Sequence, residues 1–259
     1  MDLGIRGRTA VVCASSRGLG RACALELARA GCRVVVNGRD LAALAETAAA
    51  LRAETGAEVI PVSGDIGTSA GREALLGAVP EVDILVNNNG GPPLRDFREL
   101  DRAAMEAGIA ANMLTPIELV QRVIDGMVAR RFGRIVNITS ASVKMPLAGL
   151  DLSSGARAGL TAFLAGVART VVHANVTINC LLPGSFDTRR LQLSIETAAT
   201  RKGIAPAGLR AERQQAIPAR RFGEPAEFGA ACAFLCSVHA GYINGQNLLL
   251  DGGSFPGTF

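Results

Sequence analysis

The stretch Arg8–Ala30, RTAVVCASSRGLGRACALELARA, constrains this chain more than any other. Thr9–Cys13 is a short apolar run rich in β-branched residues, which reads as a strand buried on both faces. Gly18 and Gly20 then open a run with Leu19, Cys23, Leu27 and Ala30 on one helical face. A strand, a glycine turn and a helix N-terminus in that order make a site for anions. Backbone N–H groups and the positive end of the helix dipole point over the turn. Glycine is needed where a Cβ would hold a pyrophosphate away from the backbone. Many strand-to-helix turns need glycine for steric reasons alone, so the flanking strand and helix carry the dinucleotide reading.

The remaining chain repeats the alternation. Arg33–Asn37, Glu58–Val62, Val82–Val86, Gly133–Ile138, Thr177–Leu182 and Gln246–Asp251 read as further strands. Helical stretches lie between them, at Leu41–Arg52, Asp101–Arg131, Leu160–Val172 and Glu224–Ser237. This predicts an α/β fold: a single domain with a doubly wound parallel sheet of about seven strands. A chain of 259 residues, 49% hydrophobic, suffices for one large core. A net charge of +4 on scattered arginines argues against nucleic acid or a membrane surface as the main partner. The longest apolar run, Ala158–Ala168, is too short to span a bilayer, and no signal-like segment opens the sequence, so a cytoplasmic location is expected. Six cysteines without C-x-x-C spacing are expected to be reduced core thiols. With His173 and His239 the only histidines, no metal site is expected near Cys232 and Cys236.

The loop after the second strand bears on cofactor choice. A dinucleotide site selective for NAD places an acid there for the ribose hydroxyls, whereas a 2′-phosphate calls for a cation. Asn37 and Arg39 stand at that point, and Arg17 lies in the glycine turn. Two guanidiniums able to fork onto one phosphate favour NADP(H) over NAD(H). The plainer reading makes Arg39 a solvated loop charge and Asp40 a helix cap.

Cys13-Ala-Ser-Ser-Arg-Gly-Leu-Gly20 resembles the T-G-x-x-x-G-x-G turn of the short-chain dehydrogenase/reductase family, with Cys13 for its Thr and Ala14 for its first Gly. Four further stretches fall in the family's order. Asp65-Ile66 matches its Asp-hydrophobic pair, and Asn87-Asn88-Asn89-Gly90 its N-N-A-G. Asn112 matches its tetrad Asn, and Pro183-Gly184-Ser-Phe-Asp-Thr188 its P-G-x-x-x-T. The closest look is to 3-oxoacyl-(acyl-carrier-protein) reductase-like members. The resemblance implies that Ala14, Ser16, Arg17, Gly18, Leu19 and Gly20 hold a diphosphate and that Arg39, Asp65 and Ile66 meet the adenosine. It also makes Asn87, Asn88, Gly90, Arg157, Pro183, Gly184 and Thr188 cofactor-binding, with Thr188 at the nicotinamide half, while the asparagine side chains can tie neighbouring backbones together. Asn112 would kink its helix and hold a relay water, and Ser140 would hydrogen-bond a substrate carbonyl. A homodimer or homotetramer packed through Leu160–Val172 is implied, as is a substrate lid over residues 189–219. Gly91-Pro92-Pro93 opens a loop.

The family's Y-x-x-x-K begins thirteen residues after its Ser. Ser153-Ser-Gly-Ala-Arg157 occupies that register, so Ser153 stands for the Tyr and Arg157 for the Lys. The only tyrosine is Tyr242 and the only lysines are Lys144 and Lys202, so no Y-x-x-x-K exists elsewhere. A phenol of pKa about 10 can be tuned by a nearby cation, while an aliphatic hydroxyl is a far weaker acid. Arg157 can hold a ribose and lend charge but does not readily give up a proton. Two functions stay open. One is an NADPH-dependent reductase of a small-molecule carbonyl or activated alkene. Its proton would come through Ser140, Ser153 and a water near Asn112, or from Lys144 if its loop folds over the site. The other is a catalytically silent NADP(H) binder, a sensor or an inactive subunit.

Overall fold

The computed structural model describes residues 1–92 and 94–258; Pro93, in the loop expected after Gly91, lies outside them. The strands are β1 (Thr9–Val12), β2 (Arg33–Gly38), β3 (Val59–Ser63), β4 (Ile84–Asn87), β5 (Gly133–Ile138), β6 (Val176–Pro183) and β7 (Asn247–Leu250). They form one seven-stranded sheet in the order β3-β2-β1-β4-β5-β6-β7, with every neighbouring pair parallel. This is the expected single-domain, doubly wound fold.

Side chains alternate across a strand, so a strand covered on both faces must be apolar at every position. In β1, Ala10 and Val12 face a core that includes Leu27, Phe228 and Leu235. Val11 and the adjoining Cys13 face a second core with Leu119, Met127, Leu160 and Leu164. The first core is covered by α1 (Gly18–Arg29), α2 (Leu41–Thr55) and α9 (Pro225–Cys236). The second is covered by α3 (Ser69–Gly77), α5 (Thr115–Ala129) and α6 (Asp151–Val171). The chain runs outward from β1 to β3 and returns to β4 beside β1. At such a reversal the loops leaving the strand carboxyl ends part in opposite directions and open a crevice.

The helix expected over Asp101–Arg131 is interrupted. It divides into α4 (Arg102–Ile109), a π turn (Ala110–Leu114) and α5. Asn112 lies in that turn, where its Nδ2 donates to the Gly108 carbonyl at 3.3 Å and competes with the backbone ladder. Residues 189–219 hold α7 (Arg189–Lys202) and α8 (Pro206–Gln215). Ile195, Ala199, Leu209, Ile217 and Phe222 give this region a small core apart from the two sheet cores. The six cysteines are free and buried, and burial pushes the Cys13, Cys32 and Cys180 thiols up to about 12. Among the described residues no helix is long and apolar enough to cross a membrane.

Candidate active site

The glycine turn is tied down from beneath. Ser15 Oγ donates to the Val12 carbonyl at 2.7 Å and accepts from the Asn37 N–H at 2.9 Å. The Ala14 N–H donates to Asn37 Oδ1 at 3.2 Å, while Asn88 Nδ2 donates to the Ala14 carbonyl at 3.1 Å. Thr47 Oγ1 holds the Ser16 carbonyl at 2.7 Å. Gly18 has φ +59°, and a Cβ on Gly20 would come within 2.5 Å of the Ala14 carbonyl oxygen, so both positions require glycine. Ala14 has φ +43°, a left-handed conformation that costs a non-glycine residue about 1 kcal/mol. Arg17 occupies the N-cap of α1 without a capping side-chain bond. The first N–H groups of α1 lack i−4 partners and stay available, which fits a diphosphate above the turn.

Two expectations about side chains at the cofactor need correction. Asn37 does not face a ribose. It is 2% exposed, and its Nδ2 donates to the carbonyls of Val62 and Gly64, both at 3.1 Å. Asn87 is likewise internal. It is 3% exposed, with Nδ2 donating to Asn137 Oδ1 at 2.9 Å, in a polar row that crosses from β4 to β5. Both sit on strand faces that point into the layers, so they brace the turn loops from below. Arg17 and Arg39 do remain at the surface. Arg17 meets Asp40 at 2.6 Å, and Arg39 lies 3.6 Å from Asp65. Such exposed pairs are weak and can yield to a phosphate. Asp40 also caps α2 through the Ala43 N–H at 3.1 Å, as the plainer reading held. Asp65 Oδ1 closes a turn onto the Gly67 N–H at 2.9 Å, and Ile66 is buried in the second core.

Over the carboxyl ends of β4, β5 and β6 lies a cavity of about 410 Å³, lined by Leu19, Asn88, Ser140, Ser153, Arg157, Pro183, Gly184, Thr188 and Arg190 among others. Thr188 caps α7 through the Leu191 N–H at 3.4 Å, and its methyl group would lie 3.8 Å from a Cβ on Gly18. A Cβ on Gly184 would meet Asp251 at 2.8 Å, which explains the glycine. Ser140 Oγ accepts from the Ser142 N–H at 3.1 Å. On α6, Ser153 and Arg157 are one turn apart and share a face. The Arg157 guanidinium is 7% exposed. Its Nε donates to Ser153 Oγ at 3.3 Å, its Nη1 to the Ile138 carbonyl at 2.8 Å and its Nη2 to the Asn89 carbonyl at 3.2 Å. Burial, aided by repulsion from Arg190, pushes its pKa down to about 10, so it still carries its charge at neutral pH.

The structure does not assemble the expected relay in full. Asn112 lines a neighbouring cavity of about 270 Å³ with Gly90, Gly91 and Leu152, not the one that Ser140 and Ser153 line. Its Oδ1 is buried without a partner among the described residues. Lys144 is a correction: it is exposed, and its ammonium sits 5.7 Å from the centre of the Phe255 ring, outside the Ser140 cavity. The short turn after β5, Ala141–Val143, carries it away from the cleft. Three residues at the cavity were given no site role by the sequence. Asn89 offers its carbonyl to Arg157 and ties Ala111 through Nδ2 at 2.9 Å. Gly91 and Arg190 touch at 3.5 Å through the Gly91 carbonyl. No local pattern distinguishes them, because each matters through a segment distant in sequence.

Residues 13–254 match the family model described as enoyl-(acyl carrier protein) reductase. The chain belongs to the short-chain dehydrogenase/reductase family. An acetoacetyl-CoA reductase of Allochromatium vinosum is 32% identical over 253 residues, 96% of this chain and 98% of the relative. The NADPH-dependent reductase BacG of Bacillus subtilis is 30% identical, over 95% of this chain and 97% of that one. The solved L-sorbose reductase of Gluconobacter frateurii, complexed with NADPH and L-sorbose, matches with a TM-score of 0.94 at 28% identity, covering 99% of this chain and 100% of that one. Like these members of the short-chain dehydrogenase/reductase family, the chain is an oxidoreductase.

Proposed function

We propose that the protein is an NADP(H)-dependent reductase of a small carbonyl compound or activated alkene, in which Ser153 stands where the family pattern has its Tyr phenol and Arg157 supplies a fixed charge in place of the Lys. The observation that carries this reading is the buried Arg157 guanidinium, held on the cavity wall by Ser153 Oγ and the Ile138 carbonyl. When bound, NADP(H) supplies the hydride, two electrons and one hydrogen nucleus. The α1 N-terminus and the Ala14–Gly20 turn would hold its diphosphate, and Arg17 and Arg39 its 2′-phosphate. Ser140 would orient the substrate oxygen. As hydride arrives at carbon, negative charge develops on that oxygen, and a fixed cation in a water-poor site stabilises it. Ser140 and Ser153 can pass a solvent proton but are weak acids. Charge stabilisation alone suits an activated alkene best, because the enolate formed takes its proton at carbon from water.

The silent-binder reading is not favoured by an open cavity that presents a fixed cation and two hydroxyls. Self-association through α6, where Phe163 is 46% exposed, belongs to the same proposal. The test is calorimetric titration with NADPH and NADH, the chain having no tryptophan to report binding. NADPH is expected to bind at least about tenfold tighter, since a charge-assisted contact contributes roughly 1.5–3 kcal/mol. Arg39→Ala should narrow that gap by weakening NADPH. Equal affinities for the two cofactors would remove the basis for the NADP(H) assignment.

A further inference from the structure

The cleft wall carries two guanidiniums and no counter-charge. Among the described residues that line the cavity there is no aspartate or glutamate, yet both Arg157 and Arg190 are present. Arg157 is buried on neutral acceptors alone, a hydroxyl and two carbonyls. Those three bonds leave two of its five N–H groups unassigned. A buried guanidinium without a carboxylate is not in itself a site, as Arg134 demonstrates. Arg134 makes four bonds to carbonyl groups and the Asn175 side chain and packs on the Phe132 ring. Arg134 has Arg8 nearby, but Arg8 is paired with Asp83; Arg157 differs because the arginine beside it, Arg190, has no carboxylate partner among the described residues and both line an open cavity. Arg157 is buried while Arg190 is exposed, and a second like charge beside a buried one raises its energy unless an anion joins them.

The approach has a focus. A methyl group added to Gly91 would lie 3.3 Å from Arg190 Nη2, 3.4 Å from Ser153 Oγ and 3.6 Å from Arg157 Nη2. Three donors from α6 and α7 therefore converge beside a residue that has no side chain. Among the described residues Arg190 is held there by a 3.5 Å contact with the Gly91 carbonyl alone, a long bond that a ligand can replace. A planar fork on each side suits a carboxylate, which accepts parallel N–H bonds at both oxygens. Ser140 lines the same cavity and leaves room for a carbonyl beyond the anion.

We propose that the cleft selects substrates bearing a carboxylate, small oxo acids or their unsaturated counterparts, with the carboxylate clamped between Arg157 and Arg190 beside Gly91. This rests on the reading of the cleft as the reductase site. The clamp explains why two cations line a cavity whose other residues are apolar or carry only neutral amides and hydroxyls. It also separates two tasks: Arg190 recognises the acid, while Arg157 serves both recognition and charge stabilisation.

Protein saturated with NADP⁺, which blocks turnover, is titrated with acetoacetate and pyruvate and with their methyl esters. The acids should bind at least about tenfold tighter than the esters, the loss expected when charge-assisted bonds vanish. Arg190→Met should weaken the acids by a similar factor and leave NADP⁺ affinity within about threefold. Gly91→Ala, which fills the point of convergence at a backbone angle alanine tolerates, should weaken the acids several-fold with an unchanged melting temperature. Equal binding of acids and esters, or no binding of either to protein that holds NADP⁺ normally, overturns the clamp and leaves the reductase reading intact. Acids that bind only the cofactor-free protein and are displaced by NADP⁺ also overturn it, since the arginines then serve the cofactor's own phosphates. Failure to bind NADP⁺ at all overturns the reading beneath.

Discussion

Two buried guanidiniums mark opposite ends of β5, and their surroundings differ in a way that separates scaffold from site. Arg134, the second residue of the strand, is 1% exposed. It donates from Nε to the Ser237 carbonyl at 3.0 Å and from Nη1 to the carbonyls of Gly133 and Asn175, both at 2.8 Å. Its Nη2 reaches Asn175 Oδ1 at 3.1 Å, so it knits the loops at the amino end of the sheet. Arg157 reaches the other end, where it caps the carbonyl of Ile138, the last residue of β5. Burial lowers the pKa of both and each has an arginine nearby, but Arg8 beside Arg134 is ion-paired with Asp83, whereas Arg157 faces a cavity with Arg190 on its wall. A parallel sheet produces this asymmetry. Its crossovers return along the outside and close the amino end, while diverging loops leave the carboxyl end open. The same residue type is thus a clasp at one end and a presented charge at the other.

The comparison is tested most sharply by one pair of variants. Arg157→Met should lower turnover by about 10²–10³-fold, the loss typical of a missing charge-stabilising donor. Arg134→Met should instead leave turnover per folded molecule unchanged and lower stability by about 1–3 kcal/mol for each buried carbonyl left unpaired. Urea unfolding together with single-turnover rates on folded protein separates the two. A comparable rate loss in Arg134→Met would erase the distinction.

The carboxyl end can also be rebuilt. Ser153→Tyr combined with Arg157→Lys should raise reduction of ordinary ketones by about 10²-fold, near the lower bound for a positioned general acid. NADPH affinity should stay within a few-fold, because the glycine turn is untouched. Single-turnover assays on 3-oxoacyl thioesters and small diketones decide it. Fast ketone reduction by the unaltered protein would mean that another group already donates the proton.

A smaller effect is expected at the strained alanine. Ala14→Gly should relieve about 1 kcal/mol of left-handed strain, offset in part by the greater freedom of glycine in the unfolded chain. Both NADPH and NADH should bind a few-fold tighter by a common factor, read by titration. Weaker binding of both would mean that the methyl group supports the turn.

The weakest expected effect concerns residues 189–219. Asp187 accepts from Arg210 Nη1 at 3.1 Å and ties the loop after β6 to α8. Its bond to Arg210 holds its pKa below the ordinary carboxylate value. The folded-state pKa is depressed, so the added stability is complete above the unfolded pKa, about 4. It is lost as pH falls below that value and through the folded pKa. Proteolysis of residues 189–219 should therefore rise between pH 5 and pH 3 by a small factor on the order of two. Asp187→Asn should flatten that rise, and an unchanged slope would discount the tie.

The sequence by itself determined the layered sheet, the glycine turn and the absence of a Tyr-x-x-x-Lys pair. Each depends on residues close along the chain: strand apolarity at every position, glycine before a helix, and a four-residue spacing on one turn. It also carried the break at Asn112, though only as a family likeness and not as a π turn. What tertiary structure alone decided was where side chains at strand ends point and which distant segments meet. Asn37 and Asn87 were expected at the ligand and lie beneath it, because a one-position change along a strand exchanges its two faces. Lys144 was a candidate proton donor until the turn after β5 carried it to Phe255. Gly91 was read only as the start of a loop and Arg190 only as part of residues 189–219, since their shared chemistry arises where α7 and the loop after β4 close on Arg157. Periodicity and turn chemistry are local and survive in a string of letters, whereas the convergence of charges from three segments is a property of packing.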